Sequence, residues 1–130
     1  MGTIITEIDD LNDVAIHTFL GRVTAKEMAG KIECYFSGAV NINVLWDFSE
    51  AHMEEITSDN VRDFVEMAKR YAPARKGGKT AMVFSTDLGF GLGRMFNAYQ
   101  DIVKSPVSYE SFRNKSAALE WLKEKSSVAG

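Results

Sequence analysis

Cysteine occurs once, proline twice and histidine twice in the 130 residues. A single thiol cannot close an internal disulfide, which excludes the stapled secreted folds. His17, His52 and Cys34 stand in no ligand spacing, so no metal and no cofactor is expected. Long apolar runs are also missing. The longest charge-free stretch, Cys34 to Trp46, has 13 residues broken by serine, glycine and asparagine, short of the ~18 that a membrane span needs. No basic start followed by an apolar stretch opens the chain, so no secretory leader is read and a cytoplasmic location is expected. Charge of one sign is not in excess either: 18 acidic and 15 basic side chains give a net charge of -3, which argues against nucleic acid as a partner. The one basic run, Lys69, Arg70, Arg75, Lys76 and Lys79, reads as a solvated helix end and loop.

What is present is an ordinary soluble composition, 45% hydrophobic and 25% charged, at a length that fits one domain over residues 1–130 and buries roughly two-thirds of the extended chain's surface. Thr3 to Ile8 and Val14 to Leu20 are β-rich and flank a five-residue turn, which predicts a hairpin. Thr24 and Glu27 have the capping-box spacing, and Ala25, Met28, Ile32, Tyr35 and Phe36 share a helical face ending near Gly38. Ile42 to Phe48 reads as a buried strand followed by a polar loop from Ser49. A second helix starts at Ser58 or Asp59, carries Val61, Phe64, Val65, Ala68 and Ala72 on one side, and ends at Pro73. Thr80 to Ser85 is an apolar strand. Asp87 is the expected cap of a third helix running to about Val103, with Leu88, Leu92, Met95, Phe96, Tyr99, Ile102 and Val103 as its apolar stripe. Val107 to Phe112 alternates as a strand, and Ser116 to Lys125 forms a last helix. The order is ββαβαβαβα: an α/β fold with a mixed five-stranded sheet, its first strand antiparallel and the others parallel, packed by helices.

Chemistry-bearing residues are sparse. His17 lies inside a strand and reads as a structural histidine; Glu50, His52, Glu54 and Glu55 read as an exposed acidic loop. Gly89-Phe90-Gly91-Leu92-Gly93 opens a helix after a strand, but Arg94 stands where a dinucleotide fingerprint needs its last glycine, and this strand-helix unit is not the first in the chain. Three glycines lower helix stability by about 1 kcal/mol each, so Gly89, Gly91 and Gly93 are expected to form a hinge and Phe90 a lid. Ligands of open parallel sheets gather beyond the carboxyl ends of the strands. A pocket is therefore expected between helices two and three and the sheet, lined by Phe64, Met67, Tyr71, Phe90, Met95, Phe96 and Tyr99, with a filled core as the competing reading.

Phe19-Leu20-Gly21-Arg22-Val23-Thr24, Leu45-Trp46-Asp47-Phe48, the stretch from Ala81 to Tyr99, and Phe112-Arg113 followed by Ala118-Leu119-Glu120-Trp121-Leu122 together resemble the SpoIIAA-like branch of the STAS domains. The resemblance covers nearly the whole chain. It implies a bacterial, non-enzymatic protein, a fold similar to the CRAL-TRIO lipid carriers, a hydrophobic ligand site and membrane association. The sigma-factor antagonists of this family carry Asp-Ser-Ser-Gly at the start of helix two, where a partner kinase phosphorylates a serine. Here that stretch is Ile56-Thr57-Ser58-Asp59.

The principal expectation is thus a module that binds a hydrophobic small molecule or lipid, with peripheral membrane contact and a homodimer as further expectations. The alternative is a phosphorylation-controlled protein-interaction module of the antagonist type, with Thr57 or Ser58 as acceptor.

Overall fold

A computed structural model describes residues 2–38 and 41–124. Strand β1 (Thr3–Asp9) pairs antiparallel with β2 (Val14–Arg22), from Thr3↔Leu20 to Asp9↔Val14. Asp13 closes their turn at φ 53°, a left-handed conformation that aspartate tolerates better than most residues. Its carboxylate accepts hydrogen bonds from the Asn41 side chain and the Ile42 amide. Helix α1 (Ala25–Phe36), β3 (Asn43–His52), α2 (Ser58–Tyr71), a 3-10 turn (Ala72–Arg75), β4 (Lys79–Val83), α3 (Asp87–Ile102), β5 (Ser108–Phe112) and α4 (Lys115–Lys123) follow in the expected order. Lys125, the expected last residue of α4, lies outside the described residues.

Spatial order equals chain order, β1-β2-β3-β4-β5, with β2 to β5 parallel. Every strand-helix-strand unit therefore steps in one direction, and the right-handed crossover rule puts α1, α2 and α3 on the same face. Alternate strand residues confirm the division. Ala15, Phe19, Val44, Trp46, Phe48 and Met82 join one core beneath the three helices, while Val14, Leu45, Ala81 and Val83 join Ala118 and Leu122 of α4 in the other. The parallel strands never reverse direction of winding, so the sheet has no switch point at which a crevice would open between them.

Two expectations change. Strand β3 runs on to His52, because one extra residue in β3, Phe48 and Ser49 standing opposite Phe19, lets the pairing with β2 resume as Leu20↔Glu50, Gly21↔Ala51 and Arg22↔His52; the acidic loop accordingly starts at Met53. Helix α3 is capped by Thr86, whose hydroxyl accepts from the Gly89 amide at 3.1 Å, rather than by Asp87. The same helix does not bury its apolar stripe most deeply: Gly89, Gly93 and Gln100 are buried, whereas Leu92, Met95, Phe96 and Tyr99 are only partly so and the stripe's ends, Leu88 and Ile102, are 52% and 73% exposed. The glycine face lies roughly 90° around the helix from the stripe at ~100° per residue. A β-carbon on Gly93 would collide with the Phe84 ring and with Ser111 Oγ, so glycine is what lets α3 lie close to the sheet. Gly89 packs on Phe84 in the same way, whereas Gly91 faces open space.

Candidate functional site

An apolar pocket of about 70 Å³ opens beneath the three helices. Met28, Ile32 and Phe36 of α1, Trp46 and Phe48 of β3, Val61, Phe64 and Ala68 of α2, Met82 of β4, and Leu92, Gly93 and Phe96 of α3 line it, together with Met53 and Ile56 from the β3–α2 connection. Of the residues expected to form such a pocket, Phe64 and Phe96 do so. The other five stand elsewhere. Tyr71 stacks on Phe36 with ring centroids 5.7 Å apart, and Phe90 lies under the Arg113 guanidinium at 4.4 Å. Tyr99 accepts a hydrogen bond from Arg62 Nε at 3.1 Å, while Met67 and Met95 pack partly buried against the core. The sequence reading missed the α1 and strand residues because period-2 strand faces and a helix read in isolation do not reveal which surfaces meet.

Polar atoms at the pocket are few and already engaged. Arg75, 3% exposed, donates from Nη1 to Thr80 Oγ1 (2.9 Å), from Nη2 to the carbonyls of Ile42 (3.1 Å) and Lys79 (2.9 Å), and from Nε to that of Asn41 (3.2 Å). Four oxygen acceptors thus substitute for a carboxylate, and burial lowers its pKa from the usual arginine range. Burial likewise raises the Tyr109 hydroxyl. His17, fully buried, stacks on Trp46 at 4.3 Å, meets the edge of Tyr35 at 4.6 Å and has Thr6 Oγ1 3.0 Å from Nδ1. Burial, with smaller contributions from Lys31 and Arg75, pushes its pKa down to about 3, so it is a neutral packing group at neutral pH, as its strand position predicts.

The second candidate surface lies at the carboxyl ends of the strands. Thr57 caps α2 through a reciprocal pair: its hydroxyl accepts from the Asn60 amide at 3.2 Å, and the Asn60 side chain accepts from the Thr57 amide at 2.9 Å. Ser58 is the first helical residue, and both hydroxyl residues are exposed. Exposed Glu54, Glu55, Asp59 and Asp63 flank them in sequence; Arg22 pairs with Glu55, and Arg62 lies 4.0 Å from Asp59. On the adjacent rim, buried Asp47 accepts from the Ser49 amide and hydroxyl at 3.0 and 2.7 Å, and Ser85 donates to the Ser49 carbonyl at 2.7 Å. These bonds occupy the Ser49 hydroxyl at the irregularity in β3. Among the described residues, no group of three or more His, Cys, Asp or Glu side chains is placed to hold a metal ion.

Two solved structures resemble the chain over nearly its full length. One is an uncharacterised protein of the DUF3478 family with a SpoIIAA-like fold from Shewanella loihica, 18% identical, TM-score 0.58, with 93% of each chain covered. The other is an anti-sigma factor antagonist from Mycobacterium paratuberculosis, 12% identical, TM-score 0.66, with 95% of this chain and 96% of that one covered. No family model and no curated protein matches the sequence. The chain has the SpoIIAA-like, STAS-type fold.

These findings correct the expected partner. The antagonist neighbour is a protein named for acting on a protein factor rather than on a lipid, and no finding supports lipid binding, peripheral membrane contact or a homodimer. The pocket agrees with the correction: about 70 Å³ is about half the volume that admits a benzene ring into an apolar core and far below the ~300 Å³ at which ligand sites begin. Among the described residues, no helix is long and apolar enough to cross a membrane.

Proposed function

We propose that this protein is a non-enzymatic regulatory module that works by binding another protein at the start of α2, with phosphorylation of Thr57 or Ser58 as the switch. The observation that carries the reading is the pair of exposed hydroxyls on the first turn of a capped helix, in a fold shared end to end with an anti-sigma factor antagonist. A phosphate fits there because the first-turn amides and the helix dipole favour negative charge. It also adds about two charges to a surface that already carries Glu54, Glu55, Asp59 and Asp63. A partner seated on this surface would therefore meet a changed field and a changed shape at once, which is what releases it.

The test is a Thr57→Ala, Ser58→Ala double variant expressed in the source cells beside the unaltered protein. The variant should lose both the phosphate on this segment and any phosphate-dependent exchange of partner. Thr57→Ala also removes the helix cap, at about 1 kcal/mol, so Ser58→Ala alone separates loss of the acceptor from loss of stability. Phosphate absent from this segment in the unaltered protein, or partner exchange that persists in the double variant, rejects the reading.

A further inference from the structure

The two edges of the sheet are treated differently. Edge strand β5 lies between α3 and α4, both of which pack against it. Edge strand β1 is longer, seven residues against five, and among the described residues nothing pairs with its outer side. Seven residues span about 23 Å, with alternate N–H and C=O groups turned outward. Natural edges of this length are blunted by proline, a bulge or charged side chains, lysine above all; β1 has no proline, lysine or bulge, and its only charges are the carboxylates of Glu7 and Asp9.

Apolar side chains concentrate in the same place. Ile5, Ile8 and Leu11 are 45%, 47% and 94% exposed and make up three of the five large exposed hydrophobic residues among those described. Helix α4 packs across β3, β4 and β5, which leaves Ile5 unroofed. Glu7, Asp9, Asp10 and Asp13 are interleaved with these residues, and no lysine or arginine occurs between Thr3 and Thr18.

We propose that β1 is a docking edge for an extended, basic segment of a partner protein, one that alternates lysine or arginine with apolar residues and adds to the sheet as a sixth strand. Main-chain hydrogen bonds supply the attachment, as in other strand additions. On one face Ile8 meets the guest's apolar side chains; on the other, Glu7 and Asp9 beside Ile5 meet its cations and select its charge. A second copy of this chain is the wrong guest, because β1 and its turn bring four carboxylates and no cation of their own, with Lys123 of α4 the one cation acting on Asp9. This surface is separate from the start of α2, so the two can be tested independently.

The experiment is an amide-resolved titration of isotope-labelled full-length protein with three end-blocked peptides as long as β1: alternating Lys/Val, alternating Glu/Val, and Lys/Val with proline at its centre. The Lys/Val peptide should shift the amides of Thr3 to Asp9, slow their hydrogen exchange, and bind more tightly at low salt. Its affinity should fall about tenfold or more with the proline peptide, which lacks a donor, and with a Glu7→Lys, Asp10→Lys variant. Glu7 and Asp10 are both exposed, and reversing them leaves the Asp9–Asn12 and Asp13–Asn41 bonds in place. Three results overturn the proposal: no β1 shift at about 1 mM peptide, equal binding of the Glu/Val peptide, or concentration-dependent protection of β1 without peptide, which would make a second copy the occupant.

Discussion

The two faces of the sheet are packed by different means. Under α4, Val14, Leu45, Ala81, Val83, Ala118 and Leu122 form a small aliphatic layer in which four of the six residues are fully buried. Under α1, α2 and α3, rings dominate: Phe19, Trp46, Phe48 and Phe84 are buried beside His17, Arg75 and Gln100, and the remaining gap is the apolar pocket. Among the described residues, the void and the buried polar atoms without partners named below lie on the broad face. His17 Nε2 and both amide atoms of Gln100, all on the broad face, have no hydrogen-bond partner.

This contrast can be broken from either side. The largest effect is expected from pH. His17 has a folded pKa of about 3 against 6.5 in an unfolded chain, so between those values the unfolded state binds more protons and stability falls as pH falls. The loss reaches up to about 5 kcal/mol near pH 3, and the term is constant above about pH 7. Urea midpoints at pH 7 and pH 4 for the protein and a His17→Phe variant should show a drop at pH 4 that is smaller in the variant by about 3 kcal/mol.

On the narrow face, Leu45→Ala should cost about 3 kcal/mol or more by the same measurement, since Leu45 is fully buried in a layer with little freedom to collapse. Within α3, Gly93→Ala should destabilise by about 1–3 kcal/mol through collision with Phe84. Gly91→Ala, on the same helix but facing open space, should stabilise by up to about 1 kcal/mol. The smallest effect sharpens the comparison of faces: Ala68→Met, which extends into the pocket, should change stability by under about 1 kcal/mol. Ala118→Met, placed in the filled layer, should lose about 1–3 kcal/mol.

Much of this architecture is legible from local chemistry. Thr24 and Thr57 announce the starts of α1 and α2, and the stripe from Val61 to Ala72 identifies the buried side of α2, because each signal rests on residues within one or two turns. The buried side of α3 is not legible, because glycine carries no hydropathy and the leucines and methionines beside it carry a great deal. The extension of β3 to His52 depends on one extra residue in β3 opposite Phe19, which shifts the inward side chains from Trp46 and Phe48 to Ala51 and breaks the alternation by which a strand is read. Arg75 falls in a basic run that reads as solvent-facing, yet it is buried because carbonyls from Asn41, Ile42 and Lys79 converge on it. As to the site, the sequence marks Thr57 and Ser58 at a helix start with the same residues that the structure exposes there. It overstates the pocket, because seven aromatic and methionine positions on two helices resemble a binding wall whether they enclose a space or pack against one another.

The most direct test of the regulatory reading is native mass spectrometry of the protein isolated gently from its source cells, followed by peptide mapping. The account predicts the bare chain together with a species heavier by one phosphate that maps to Thr57 or Ser58, and no tightly held guest. A single species carrying an apolar molecule, with no phosphate on the segment around the start of α2, would contradict it.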